Sequence, residues 1–357
     1  MMTSIERVDA VLAGRRPDRP PFSFWHHFAP DQVAGEAAVK AHLEHANRYG
    51  LDFLKVMNDN PYPHPARIER IEDLGGLARL RGQEEGFGEQ LALLAALKAS
   101  TRGSLYLVTT IFNAWAVLRQ LIRPPATHQP PNLDHAADDA PSQWIKQAYR
   151  SQPRVVLAAL ETIADNLGRF AAQCLRAGAD GIFLSCRDDW LDESGDAGTG
   201  NLYATLVAPT DLAILRGAAD GKFNILHVCG RPRRLEAFMQ YPVSAINWAD
   251  RAAGPGLATA PRRAHGAQPV LCGGVDNLAT LPNGQATDVA REVTDAIRQV
   301  AEGGDSTKSC SPLARRAGRT GDRGLIITPG CTYDSQRVPP ENLHALAEAV
   351  RGATVSR

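Results

Sequence analysis

The run His227-Val228-Cys229-Gly230 sets an imidazole and a thiol two positions apart, with a glycine directly behind them. On an extended strand, residues i and i+2 point to the same face, so the two side chains project together. A third soft donor, Cys331, ends the run GLIITPGC much later in the chain. One imidazole and two thiolates suit Zn²⁺ and leave a fourth position for a carboxylate, a water or an incoming thiol. Zinc would lower the pKa of a thiol bound there and hold it as a thiolate nucleophile. The same residues also read as ordinary strand ends, because free cysteine is among the most buried residue types.

Other side chains could carry chemistry. His26 and His27 end the run PFSFWHHF, where one of them would face a site or both would belong to an aromatic wall. Lys55 and Asn58 lie in DFLKVMN; Asn58 could hydrogen-bond a substrate, and Lys55 could be paired inside the fold. Asp276 in GGVDN could position a substrate or cap a turn. Cys272, just before two glycines, reads as a core residue. Tyr333 and Asp334 follow Cys331 and could support it from behind.

These residues need elements to hold them. Ile5, Val8, Val11 and Leu12 have helical spacing behind Ser4, which could cap the helix, and Gly14 with the proline run ends it. PFSFWHHF reads as a first strand, followed by a helix over about 37–49 and a second strand, DFLKVMN. Further strand-like runs are SLYLVTTIF, GADGIFLSC, FNILHVC, SAINWA, PVLCGGV and GLIITPGC. Helical patterns separate most of them, among them EQLALLAALKAS, a long region over about 141–177 broken near Pro153, ATDVAREVTDAIRQVAEGG and PPENLHALAEAVRG. Short apolar runs bounded by Gly and Pro suit strands buried on both faces, as in a parallel sheet. Eight such segments with no long linker, and no G-x-G-x-x-G after an early strand, predict an α/β fold of the (β/α)8 TIM-barrel type rather than a doubly wound dinucleotide-binding sheet. Active sites of such barrels lie at the C-terminal ends of the strands, where His227, Cys229 and Cys331 fall. The expectation is one domain spanning 1–357, with a polar, basic, Gly-rich insertion at 305–323 that carries Cys310 away from any site.

Composition excludes several classes. Lys+Arg and Asp+Glu both number 39, which argues against a general electrostatic grip on nucleic acid or anionic membrane. With 44% hydrophobic and 22% charged residues, the chain has the profile of a soluble globular protein. The first residues do not read as a signal peptide, and no apolar run is long enough to span a bilayer. Six cysteines without framework spacing then read as thiols or ligands, and the expected location is cytoplasmic.

LHVCG, GGVDN and GLIITPGCTYDSQRVPPENLHALAEAV resemble, in that order, the C-terminal half of the uroporphyrinogen decarboxylase superfamily. RVDAVLAGRRPDRPPFSF is similar to its opening helix and first strand, and with GADGIFLS the resemblance covers nearly all of the chain outside 305–323. It implies a (β/α)8 barrel. Two chemistries occur in the superfamily. The decarboxylases use no metal, carry R-Q-A-G-R-Y on the first strand to bind substrate carboxylates, and have G-H-G where this chain has Pro329-Gly330-Cys331. The cobalamin-dependent branch, such as methylcobalamin:coenzyme M methyltransferases, carries H-x-C and a distant C as zinc ligands. His227, Cys229 and Cys331 match those positions, whereas FSFWHHF offers no arginine clamp.

The resemblance therefore implies zinc-dependent methyl transfer through a corrinoid (cobalamin), with a small-molecule methyl donor or acceptor. No D-x-H-x-x-G cobalamin signature occurs, so the corrinoid would arrive on a separate protein or free. A fourth zinc ligand would have to be an acid near the barrel mouth. The family often supplies a glutamate from the region of RDDWLDES, which offers Asp188, Asp189, Asp192 and Glu193, with Glu193 the candidate. The alternatives are a metal-free decarboxylase acting on a porphyrinogen and a non-catalytic binding barrel, against which the intact donor set argues.

Overall fold

The computed structural model describes residues 1–64, 67–122, 140–186, 201–232, 234–303 and 324–353. The candidate acids 188, 189, 192 and 193, the 305–323 segment and Cys310 lie outside them. Seven parallel strands form one sheet in chain order: β1 (Phe53–Val56), β2 (Tyr106–Phe112), β3 (Gly181–Cys186), β4 (Ile225–Val228), β5 (Ala245–Trp248), β6 (Val270–Val275) and β7 (Leu325–Pro329). Helices α1 (Ser4–Leu12) and α2 (Gly35–Tyr49) precede β1. The crossovers then contain α3 (Phe87–Thr101), α4 (Ala114–Ile122), α5 (Ala140–Ser151), α6 (Pro153–Arg176), α7 (Ala208–Gly217), α8 (Leu235–Phe238), α9 (Thr280–Asn283) and α10 (Ala286–Gly303), and α11 (Pro340–Gly352) follows β7. No helix among the described residues is long and apolar enough to cross a membrane.

The strands are apolar on both faces because both faces are covered. Leu54, Val56, Ile111, Leu184, Leu226, Ile246, Leu271 and Ile327 pack outward with the helices. Phe53, Met57, Tyr106, Val108, Phe183, Ile225, Ala245, Val270 and Ile326 form a second, inner cluster that Val8 and Val11 of α1 also join. The sheet thus curls around a core of its own, as in a TIM-like barrel.

Two expectations change in detail. The N-cap of α1 is Thr3 rather than Ser4: Thr3 Oγ1 accepts from Glu6 N at 3.2 Å, and Glu6 Oε2 accepts from Thr3 N at 2.7 Å. The first of the eight expected strands, PFSFWHHF, is not a strand, so the sheet is not a closed eight-stranded barrel. That segment runs between β7 and β1 with one isolated parallel bridge, Phe22 to Ile327. Ile327 N donates to Pro21 O, Ser23 N donates to Ile327 O, and Asp52 N donates to Phe22 O. The ladder goes no further because Pro20 and Pro21 have no N–H to offer, and Phe22 N donates to the Asp52 carboxylate at 3.0 Å. Helices α4 and α7 add to the helical runs named from the sequence.

Asp52 does the work that a ladder would otherwise do. Fully buried, it receives Arg7 Nη1 at 2.7 Å and Arg19 Nη1 at 2.6 Å in addition to Phe22 N. Asp52→Ala leaves two guanidinium groups and an amide short of their acceptor. We expect a loss of about 3–5 kcal/mol in unfolding free energy, measured by denaturant titration. A loss below about 1 kcal/mol would show that the segment is held by its apolar contacts instead.

Candidate metal centre

Parallel register builds the site. Ser185, His227, Asn247 and Cys272 are successive partners across β3, β4, β5 and β6, so they form one row on the inner face. The row below it, Phe183, Ile225, Ala245 and Val270, is apolar. The floor is therefore dry and the polar groups begin at the C-terminal mouth. Cys229 lies just past β4 but remains on the ladder, donating its N–H to Cys186 O at 2.8 Å, and so projects on the same side as His227. Gly230 follows at φ 87°, the left-handed region that lets the chain turn off the sheet there. Gly330 is needed for a different reason: a Cβ on it would lie 2.6 Å from Ala249 Cα, so only glycine lets the end of β7 bring Cys331 in.

The ligand atoms of His227, Cys229 and Cys331 all lie within 4.8 Å of one another. Cys229 Sγ is 3.8 Å from Cys331 Sγ, and His227 Nε2 is 3.4 Å from Cys331 Sγ. Zn–S bonds of about 2.3 Å and Zn–N bonds of about 2.0 Å put tetrahedral donors roughly 3.5–3.8 Å apart, so the spacing fits a zinc ion. Cys229 and Cys331 are half-buried and His227 is buried, with the donors at the open end. The hydrogen bond from Cys229 is the largest of the influences that hold the Cys331 thiol well below its usual range, against the opposing effect of burial. A sulfur that sheds its proton readily is the form a metal needs.

Asn247 fixes the imidazole. Its Nδ2 meets three oxygens, Cys272 O at 3.1 Å, Thr328 Oγ1 at 3.1 Å and Pro329 O at 3.0 Å, and this sets the orientation of the amide. Oδ1 then faces His227 Nδ1 at 2.5 Å and must accept its proton. That leaves Nε2 as the nitrogen facing Cys331, the one through which the ring would bind a metal. Phe183 stacks on the ring with centroids 5.2 Å apart, holding its plane. No sequence motif pointed to Asn247; the available signal was a polar residue at the inward-facing position of an otherwise apolar strand.

The remaining candidates separate. His26 shares the outward face with Phe22 and Phe24 and packs against His45 of α2 and Tyr333, with ring centroids 4.9 and 5.0 Å away. It lines a cavity of about 290 Å³ with Arg48 and Tyr49, outside the inner core. Burial there, with His45 and His42 nearby, pulls its pKa down to about 3, so it is neutral. His27 is half exposed, with Nδ1 2.8 Å from Asp59 Oδ1. Asn58 donates to Thr110 O at 3.2 Å, tying the end of β1 to β2. Asp276 Oδ1 accepts from Leu278 N and Ala279 N, as a turn cap does. Cys272 is buried in the inner cluster, as expected of a core residue. Tyr333 belongs to the outer aromatic group and Asp334 caps a turn through Gln336 N. The asparagine of GGVDN matters more than its aspartate: Asn277 Nδ2 donates to Thr332 O at 3.0 Å and anchors the backbone next to Cys331. Lys55, expected to be paired, has no carboxylate at ion-pair distance among the described residues.

Asn247→Ala removes the group that orients His227 and leaves buried acceptors on β6 and β7. The expected result is a 10–100-fold weaker zinc affinity, about the range for loss of such a partner, read by competition with a chromophoric chelator. An unchanged affinity would mean that the imidazole is positioned without the amide.

A family model described as uroporphyrinogen decarboxylase (URO-D) matches residues 138–353, which include His227, Cys229 and Cys331. Among solved structures, a methyltransferase from Methanosarcina mazei is similar with a TM-score of 0.70 at 16% identity, over 99% of this chain and 99% of that one. A B12-independent methionine synthase from a Shewanella species, in complex with selenomethionine, gives 0.48 at 14% identity, over 94% of this chain and 98% of that one. At 16% identity the likeness to the Methanosarcina protein is one of fold. A search of curated proteins returned no match. The curled parallel sheet, the run of motifs and the matched span agree: the chain belongs to the uroporphyrinogen decarboxylase family.

Proposed function

We propose that this protein is a zinc-dependent methyltransferase of a corrinoid system, moving a methyl group between a corrinoid and a substrate held at His227, Cys229 and Cys331. The observation that supports this reading is the meeting of one imidazole and two thiols from the ends of β4 and β7, their donor atoms within 4.8 Å of one another. Within its family, the first segment argues against the porphyrinogen reading. Where the resemblance places an arginine-rich carboxylate clamp, this chain sends His26 into an outer cavity and pairs His27 with Asp59.

Bound by these three ligands, zinc supplies a Lewis acid that keeps a fourth ligand in its reactive, deprotonated form at neutral pH. The chain's own residues do the rest. His227 donates through Nε2 because Asn247 holds its other nitrogen. Trp25 and Phe183, 5.1 Å apart between centroids and both buried, wall the inner side and keep water from that face. The mouth above Cys229 and Cys331 is left for the substrate and for a corrinoid, free or on a separate protein. Glu193 is the candidate for a displaceable fourth ligand.

Purified protein should hold stoichiometric zinc after dialysis, and His227→Ala and Cys331→Ala should each lose most of it. Demethylation of methylcobalamin in the presence of a thiol, followed by its visible absorbance, should fall about a hundredfold or more in both variants and in chelator-treated protein. Added zinc should restore only the treated parent. Zinc retained by both variants, or porphyrinogen decarboxylation by chelator-treated protein, would overturn the reading.

A further inference from the structure

Outside the inner core lies a cavity of about 290 Å³ that the metal centre does not use. It is enclosed by α2, by the stretch that begins at His26 and by the connection from β7 to α11. One wall is a cluster of rings. His26 packs on Phe28, His45 and Tyr333 with centroids 4.6, 4.9 and 5.0 Å away, and His45 packs on Tyr49 at 5.5 Å. Val338 and Leu343, both buried, add an aliphatic patch. Backbone contacts hold the enclosure together: Tyr333 N donates to Trp25 O at 3.1 Å, and His45 Nε2 donates to Phe24 O at 2.9 Å. The end of β7 and the helix α2 are thus both tied to the segment between them.

The strongest polar groups of this cavity are donors that lack acceptors. Arg48, exposed at its rim, lies over the ring of Tyr49 at 5.4 Å and has no hydrogen-bond or ion-pair partner among the described residues. Tyr333 is 4% exposed, and burial raises its pKa far above the ordinary phenol range, so it keeps its proton. Its hydroxyl also has no partner among the described residues. His26 and His45 are neutral, their pKa values pulled down by burial to about 3 and about 4. His26 Nδ1 is sealed without a partner, which leaves Nε2 as the nitrogen open to the cavity. Among the described residues Glu44 is the one carboxylate of the lining; it is largely exposed, with Oε1 3.8 Å from Lys40 Nζ. Asp59 and Glu341, whose charges reach His26 and Tyr49, do not line the cavity, and Asp59 holds His27. The charge of Arg48 acts on His45, Tyr49 and Tyr333. The lining therefore combines one uncompensated positive charge with flat apolar walls. A guanidinium and a phenol O–H both answer a carboxylate, and rings answer a ring. We propose that this outer cavity is a binding site for a small aromatic monocarboxylate, separate from the metal centre. Arg48 pairs with the carboxylate, the Tyr333 hydroxyl donates to it, and His26 and Tyr49 flank the ring. Ligand pockets span about 300–1000 Å³, so this one takes a single ring and not a large cofactor.

The test titrates benzoate and its neutral isostere benzamide into the full chain by isothermal titration calorimetry, before and after treatment with a chelator. We expect about one benzoate per chain, bound about tenfold or more tightly than benzamide, as a charge-assisted contact implies. Arg48→Met should weaken benzoate about tenfold and leave benzamide within about twofold. Tyr333→Phe keeps the ring and removes only the hydroxyl, and should weaken benzoate about three- to tenfold. Chelator-treated protein should bind benzoate as the untreated protein does. The parent decides the matter should a variant fail to fold: no benzoate bound, or benzoate and benzamide bound alike, overturns the proposal. A benzoate affinity that either folded variant leaves unchanged overturns it too. Benzoate binding that disappears with the metal would put the carboxylate on the centre at β4 and β7, and would overturn the proposal while leaving the metal-centre reading intact.

Discussion

The side chain of Asn247 joins three strands at one point, and the site depends on that joint. Its amide reaches β4 through His227, β6 through Cys272 O, and β7 through Thr328 and Pro329. An asparagine this buried is tolerated only when its hydrogen-bonding capacity is used, and here it is used in full. The same contacts that satisfy it hold the end of β7 beside β4, bring Cys331 to Cys229, and assign the proton on His227. Cost and function thus come from a single group.

The rows beneath it explain why this chemistry sits at the mouth and nowhere lower. The row of Phe183, Ile225, Ala245 and Val270 is apolar, so the donors above rest on a floor that excludes water. Lys55, in register with Val108 and Gly181, is the charged exception in the inner cluster, and its placement is fixed from outside the site. Asp52, one residue before β1, gathers Arg7, Arg19 and the Phe22 amide, and so pins where β1 begins and which of its residues face inward. A charge cluster just before β1 thereby sets which way a buried charge on that strand points.

Much of this was legible in the sequence, for reasons that can be named. The period-two rule placed His227 and Cys229 on one face, and glycines behind Cys229 and before Cys331 marked strand ends. The apolar runs of all seven observed strands stood out because both faces are buried. The first expected strand, PFSFWHHF, fails because Pro20 and Pro21 have no N–H and because the Phe22 amide is claimed by the Asp52 side chain, a contact that no pattern of hydrophobicity records. His26 was ambiguous for the same reason that a one-residue slip matters in any strand: its parity follows Phe24, which faces outward, and not Trp25. Asn247 and Asn277 were missed because a single asparagine in a strand or turn has many ordinary roles, and only three-dimensional contacts separate them. Asp276 drew attention by its charge, but its carboxylate closes a turn.

The central claim is that one imidazole and two thiols of this chain form a single zinc-binding centre. X-ray absorption at the zinc edge of the purified protein tests it most directly. The account predicts a shell with two sulfurs at about 2.3 Å and at least one nitrogen at about 2.0–2.1 Å, with the sulfur contribution reduced in Cys331→Ala. A shell made only of nitrogen and oxygen, or a sulfur contribution unchanged in that variant, would contradict it.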